Sequence, residues 1–139
     1  MKTTIIQHPS LRLITRRSET FPSGNREAFN AIEAHLKTMR GRKFYGLVYE
    51  SEKGIDYHAG LVPDHEIEER KFASLGFAIT EVAGGRCARF KMLGWSSQLD
   101  QIGPAIGAMI AEHGIDPSRP QMEFYRSFNE LHLLVPIPG

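Results

Sequence analysis

Near the end of the chain, the run Gln121-Met122-Glu123-Phe124-Tyr125 sets a carboxylate among apolar and aromatic side chains. An ionised carboxylate taken into apolar surroundings without a partner costs on the order of 3 kcal/mol or more. Glu123 therefore either points to water or waits for a partner. Strand alternation sorts its neighbours: Gln121, Glu123, Tyr125 and Ser127 face one way, Met122, Phe124 and Phe128 the other. The second set suits a core beneath helices, the first an accessible groove. Other aromatic residues are candidates for the same groove. Tyr45 and Tyr49 share one face of their strand, Tyr57 and His58 belong to the next, and Trp95 stands where a strand runs into a helix. A planar lipophilic cation would find ring contact there, a cation–π attraction of about 0.5–2 kcal/mol, and a counter-ion. The same pattern also suits an exposed strand glutamate and core rings that send a polar tip to the surface, and periodicity alone leaves both readings open.

Other signals carry no chemistry. The segment beginning at His65 reads HEIEE, with a glutamate where a zinc helix needs its second histidine, and we expect a solvated linker there. Ser96 and Ser97 lack the final glycine of a nucleophile elbow, because Gln98 occupies that place. The six histidines show no ligand spacing, and Gly103 and Gly107 flank Pro104 in a helical pattern with no phosphate-cradling loop, so no metal or nucleotide cofactor is indicated. Cys87 is the single cysteine and closes no internal disulfide; a small hydrophobe in a strand is its expected role. Seventeen basic against sixteen acidic residues give a net charge of +1, far from the basic excess of a phosphate-binding domain, so nucleic acid is not expected as a direct partner. Neither a signal-peptide core nor a membrane-length apolar run is present, and a cytoplasmic location follows by default.

The elements that must hold these residues read as α+β. At 139 residues and 41% hydrophobic, the chain suits one domain over 1–139. TTIIQHPSLRLITRR opens as a strand region broken at Pro9. Phe29, Ile32, Leu36 and Met39 then line one helix face, with Asn25 as N-cap and Gly41 as the stop. RKFYGLVYES and IDYHAGLVPD form a hairpin, and HEIEERKFASLG connects to a second half. There FAITEVAGGRCARFKMLGW gives strand, turn and strand. A helix follows with Leu99, Ile102, Ile106, Met109 and Ile110 on one side, a capping-box start at Ser97 and Asp100, and a stop at Gly114. Pro104 should kink this helix or delay its beginning. QMEFYRSF and ELHLLVPI close as a strand pair around Asn129. Two tandem pseudo-symmetric β-α-β-β units, about 1–70 and 71–139, are expected to make one antiparallel sheet with two helices on one face.

The order and the motifs EVAGGRCARFKMLGW, HGIDPSRP, MEFY and DYHAGLVPD, with a closing strand near Pro136, resemble those of GyrI-like small-molecule-binding domains. This SHS2-type module also serves as the effector-binding half of multidrug-responsive transcription activators. The resemblance covers nearly the whole chain. It differs at Gly94-Trp95, where the family more usually has Gly-any-Tyr. It implies a ligand groove on the sheet face away from the helices, with the residue matching Glu123 meeting cationic aromatic compounds there. A stand-alone sensing or sequestering protein is the first expectation, since the chain has no helix-turn-helix segment with which to act on DNA itself. The initial Met and compact termini favour a whole small protein over an excised regulator domain. Some proteins of this family resemble hydrolases that open strained rings such as cyclopropanes. In such an enzyme Glu123 would orient or deprotonate water, or protonate the leaving group, and His58 would be the second polar partner. The family name also brings topoisomerase inhibition through a protein partner, for which no residue signature exists here.

Overall fold

The computed structural model describes residues 1–139. Its elements, in chain order, are β1 (Thr3–His8), β2 (Leu11–Arg17), α1 (Asn25–Glu33), β3 (Phe44–Ser51), β4 (Gly54–Leu61), α2 (Glu66–Ser74), β5 (Ala78–Val82), β6 (Gly85–Leu93), α3 (Leu99–His113), β7 (Gln121–Tyr125) and β8 (Glu130–Pro136). The fold is α+β, as expected. Its eight strands make one antiparallel sheet in the order β1-β6-β8-β7-β3-β4-β2-β5. No helix is long and apolar enough to cross a membrane.

The order of elements repeats around α2: β2-α1-β3-β4 and β6-α3-β7-β8 place their strands alike, and the halves meet at the β3·β7 pair. Each half sends its opening strand to the other, β1 to β6 and β5 to β2. Only Pro9 and Ser10 join β1 to β2, and only Ala83 and Gly84 join β5 to β6. These two tight links lie together. A Cβ at Gly84 would come within 2.5 Å of the His8 carbonyl oxygen, so glycine permits the approach. Joining strands from opposite ends of the order in this way forces the sheet to curl.

Curling gives the sheet two packed faces. On one, Ile14, Ala59 and Leu61 pack against Ala28 and Ile32 of α1 and Phe72 of α2, while Ala88, Met92, Leu131, Leu133 and Val135 pack against Met109 of α3. On the other, Leu13, Tyr45, Leu47, Val82, Met122 and Leu134 bury one another within the curl. This second core corrects the expected direction of β7. Met122 and Phe124 face away from the helices, because a curled sheet makes its own interior and needs no helix to cover it. Phe128 belongs to neither core; it is 99% exposed in the β7–β8 turn. Accordingly, Phe128→Ser should leave the urea unfolding midpoint within the range of an ordinary surface change, about 0.5 kcal/mol.

Several helix boundaries also differ from expectation. The connection HEIEERKFASLG is not a linker but contains α2, capped by His65, whose Nδ1 accepts the Glu68 backbone N–H at 3.2 Å. Helix α1 ends at Glu33. Beyond it, His35 docks edge-on against Phe72 and Phe77, and Met39 is exposed. Gly24, not Asn25, is its N-cap. Pro104 lies inside α3, which begins five residues earlier at Leu99 without the Ser97 side-chain cap, and Leu99 itself is exposed.

Helix α2 is held by charge as well as by Phe72, its buried apolar residue. Arg42, 8% exposed, grips Glu68 through both terminal nitrogens. Burial opposes ionisation of Glu68, but the Arg42 hydrogen bonds, the Asp64 backbone N–H and the Arg42 charge outweigh it and hold the carboxyl below its usual value. A depressed native pKa gives stability that is complete above the unfolded value, about 4.3, and is lost as the pH falls through the native one. We expect Glu68→Gln to lower stability at pH 7 by about 1–3 kcal/mol and to flatten its decline below about pH 4.3. Urea titrations from pH 7 to pH 3 read both effects, and an unchanged acid slope would show that Glu68 is not a source of it.

Candidate functional site

The middle of the helix-side face is the β3·β7 seam, where the two halves join and the alternation of β7 places Glu123 opposite Gly46. Its neighbours across the sheet are Leu133 on β8 and, beyond Gly46, the β4 strand that carries Tyr57. Tyr57 Oη donates to Glu123 Oε1 at 2.6 Å and Tyr125 Oη donates to the same oxygen at 2.8 Å. The two phenolic oxygens stand 3.2 Å apart. Both lone-pair directions of Oε1 are thus used, while Oε2 accepts from neither phenol. Glu123 remains partly exposed.

Aromatic rings enclose this carboxylate. Phe29, projecting from α1, meets Tyr125 edge-on at 5.4 Å and Tyr57 at 6.3 Å. Phe21, from the segment before α1, lies over Tyr57 at 5.7 Å. Trp95, in the short 3-10 turn before α3, meets Tyr125 edge-on at 5.3 Å, and its Nε1–H donates to the Ser127 carbonyl. Tyr57 is buried, whereas Phe29, Trp95 and Tyr125 are half-buried and Phe21 is exposed. The cluster therefore has a closed floor and an open rim between α1 and the start of α3. Burial, and then the Glu123 charge, push both phenols upward from their ordinary range, which favours Tyr57 and Tyr125 as proton donors to the carboxylate.

Of the residues expected in one groove, Glu123, Tyr125, Tyr57 and Trp95 come together. Tyr45, Tyr49 and His58 do not. They lie on the other face of the sheet, where Tyr45 is stacked on Phe124 at 4.8 Å and Tyr49 meets the His58 ring at 5.6 Å. His58 also approaches Asp56 at 3.2 Å. The adjacent positions 57 and 58 point to opposite faces by strand period, so only one could join Glu123. The expected side of the sheet is corrected as well, since Glu123 stands on the face that carries the helices. The gap between α1 and α3 leaves that face uncovered at the seam. Sequence pattern does not mark Phe21, Phe29 or Gly46 as site residues. Phe29 fits the apolar face of its helix, and the one signal at Gly46 is a lone glycine inside a strand, which marks a close approach. Cys87 is buried, as a structural thiol should be. Two surface hollows lie elsewhere, one of about 340 Å³ beside α2 and one of about 350 Å³ at the end of β3.

No family model matches the sequence, and no curated protein matches it. Solved structures do share its fold. SAV2435 bound to tetraphenylphosphonium superposes with a TM-score of 0.69 at 16% identity, over 100% of this chain and 95% of that one. The C-terminal domain of EcmrR gives 0.66 at 11% identity over 99% and 98%. A hydrolase from Listeria innocua gives 0.63 at 13% identity over 99% and 92%. The chain has the fold of GyrI-like domains.

Proposed function

We propose that this protein binds lipophilic aromatic cations, for sensing or sequestration, with Glu123 as the counter-ion. The observation that carries this reading is the fixed carboxylate: two phenols hold Oε1, Oε2 is spared, and the rings of Phe29, Trp95 and Tyr125 stand half-exposed around it. Such an arrangement keeps a charge in place without a neutralising protein cation. Arriving ligand supplies that cation and covers the rim rings, adding cation–π attraction of about 0.5–2 kcal/mol to the ion pair. Tetraphenylphosphonium, bound in SAV2435, is a cation of this class and supports the reading through the shared fold.

A second reading rests on the same atoms. Tyr57 and Tyr125 are protonated donors beside a carboxylate, the pairing that opening of a strained, cyclopropane-type ring by water would need, and they replace His58 as the second polar partner. The Listeria hydrolase of the same fold keeps this reading in view. Equilibrium dialysis against tetraphenylphosphonium, followed by quantitative recovery of the ligand, tests the first. Saturable uptake at one site with complete recovery is the expected result, and no saturable uptake would end it. Steady consumption of a cyclopropane-type electrophile by the same preparation would put hydrolysis first.

A further inference from the structure

Tyr57 and Glu123 belong to strands that are not neighbours: β3 runs between β4 and β7. Their hydrogen bond must therefore cross a strand, and it does so over Gly46. A Cβ placed at Gly46 would stand 2.0 Å from Tyr57 Oη, 2.7 Å from Tyr57 Cζ and 2.7 Å from Glu123 Oε1. Non-bonded heavy atoms settle at roughly 3.5–4.0 Å, so no side chain larger than hydrogen leaves both groups where they are. The backbone makes no such demand, because Gly46 has no positive φ. A strand glycine otherwise weakens its strand, and the space above it is filled by one of the two phenol contacts that hold Glu123.

We infer that Gly46 is a positioning residue, a gap in β3 through which the β4 phenol reaches the β7 carboxylate and turns it toward a cationic ligand. The inference rests on the reading that Glu123 is the counter-ion, and it adds that the clamp on Oε1 depends on residue 46. It also explains why a strand otherwise rich in large side chains, Phe44-Tyr45-Gly46-Leu47-Val48-Tyr49, carries a glycine at the centre of the seam.

The test is a mutational cycle of wild type, Gly46→Ala, Tyr57→Leu and the double variant. It is read by tetraphenylphosphonium dialysis, urea unfolding, and the low-field phenolic proton of Tyr57 in NMR, assigned by its loss in Tyr57→Phe. Gly46→Ala should weaken phosphonium binding roughly tenfold or more and remove that proton signal. Added to Tyr57→Leu, it should cost clearly less affinity and stability than in wild type, because the phenol it would strike most closely is gone and only the approach to Glu123 Oε1 remains. An equal effect of Gly46→Ala in both backgrounds, or a Tyr57 proton unmoved by the alanine, would overturn the inference. Should Tyr57→Leu fail to fold, the proton signal in Gly46→Ala alone decides. If wild type takes up no phosphonium, the counter-ion reading falls, and the unfolding cycle and the proton signal still judge Gly46.

Discussion

Glu123→Gln should reduce the affinity for a lipophilic cation by about 30- to 1000-fold, equivalent to roughly 2–4 kcal/mol, while leaving the protein folded. The amide is nearly isosteric, and its oxygen can still accept from Tyr57 and Tyr125, which donate to Oε1 in the native site. What disappears is the charge. A cation drawn among Phe29, Trp95 and Tyr125 would lose part of its water and meet no opposite charge, and the loss should appear chiefly in the off-rate. Since the phenol contacts survive, the unfolding midpoint should move by about 1 kcal/mol or less. Equal losses of affinity and stability would instead mark Glu123 as a structural residue.

The second large effect is one of stability. Phe72→Ala should destabilise the protein by about 3–5 kcal/mol, a large share of the 5–15 kcal/mol typical of a domain. Phe72 is fully buried, packed edge-on against Phe77 at 5.1 Å and against His35 at 5.8 Å, and it is the buried residue through which α2 enters the core. Urea unfolding read by far-ultraviolet circular dichroism measures it. A change below about 1 kcal/mol would mean that α2 is an ornament on the sheet rather than part of the core.

Helix α2 also shows where sequence reading stops. Its Ile67 and the Leu75 that caps its end are exposed and Phe72 alone is buried, so no 3.6-residue stripe exists to be seen. Its anchors, Arg12 to Glu69 and Arg42 to Glu68, join residues far apart in the chain. The strands were legible because β-branched and aromatic runs end at Pro9, Gly54 and Gly84, and α3 because Ile102, Ile106, Met109 and Ile110 recur on one side. At the site, alternation grouped Glu123 with Tyr125 and set both apart from Met122 and Phe124. It could not say which group faced the helices, since each face has its own apolar core and only the curl of the sheet distinguishes them. The convergence of Tyr57 on Glu123 depends on strand order, which pairs β7 with β3 and β3 with β4. No local pattern encodes that order.

The most direct measurement compares tetraphenylphosphonium with the neutral, similarly shaped triphenylphosphine oxide, titrated into wild type and Glu123→Gln while the fluorescence of Trp95, the only tryptophan, is followed. The account predicts that wild type prefers the cation strongly and that the variant binds the two compounds nearly alike. A preference that persists undiminished in Glu123→Gln, or one absent from wild type, would contradict it.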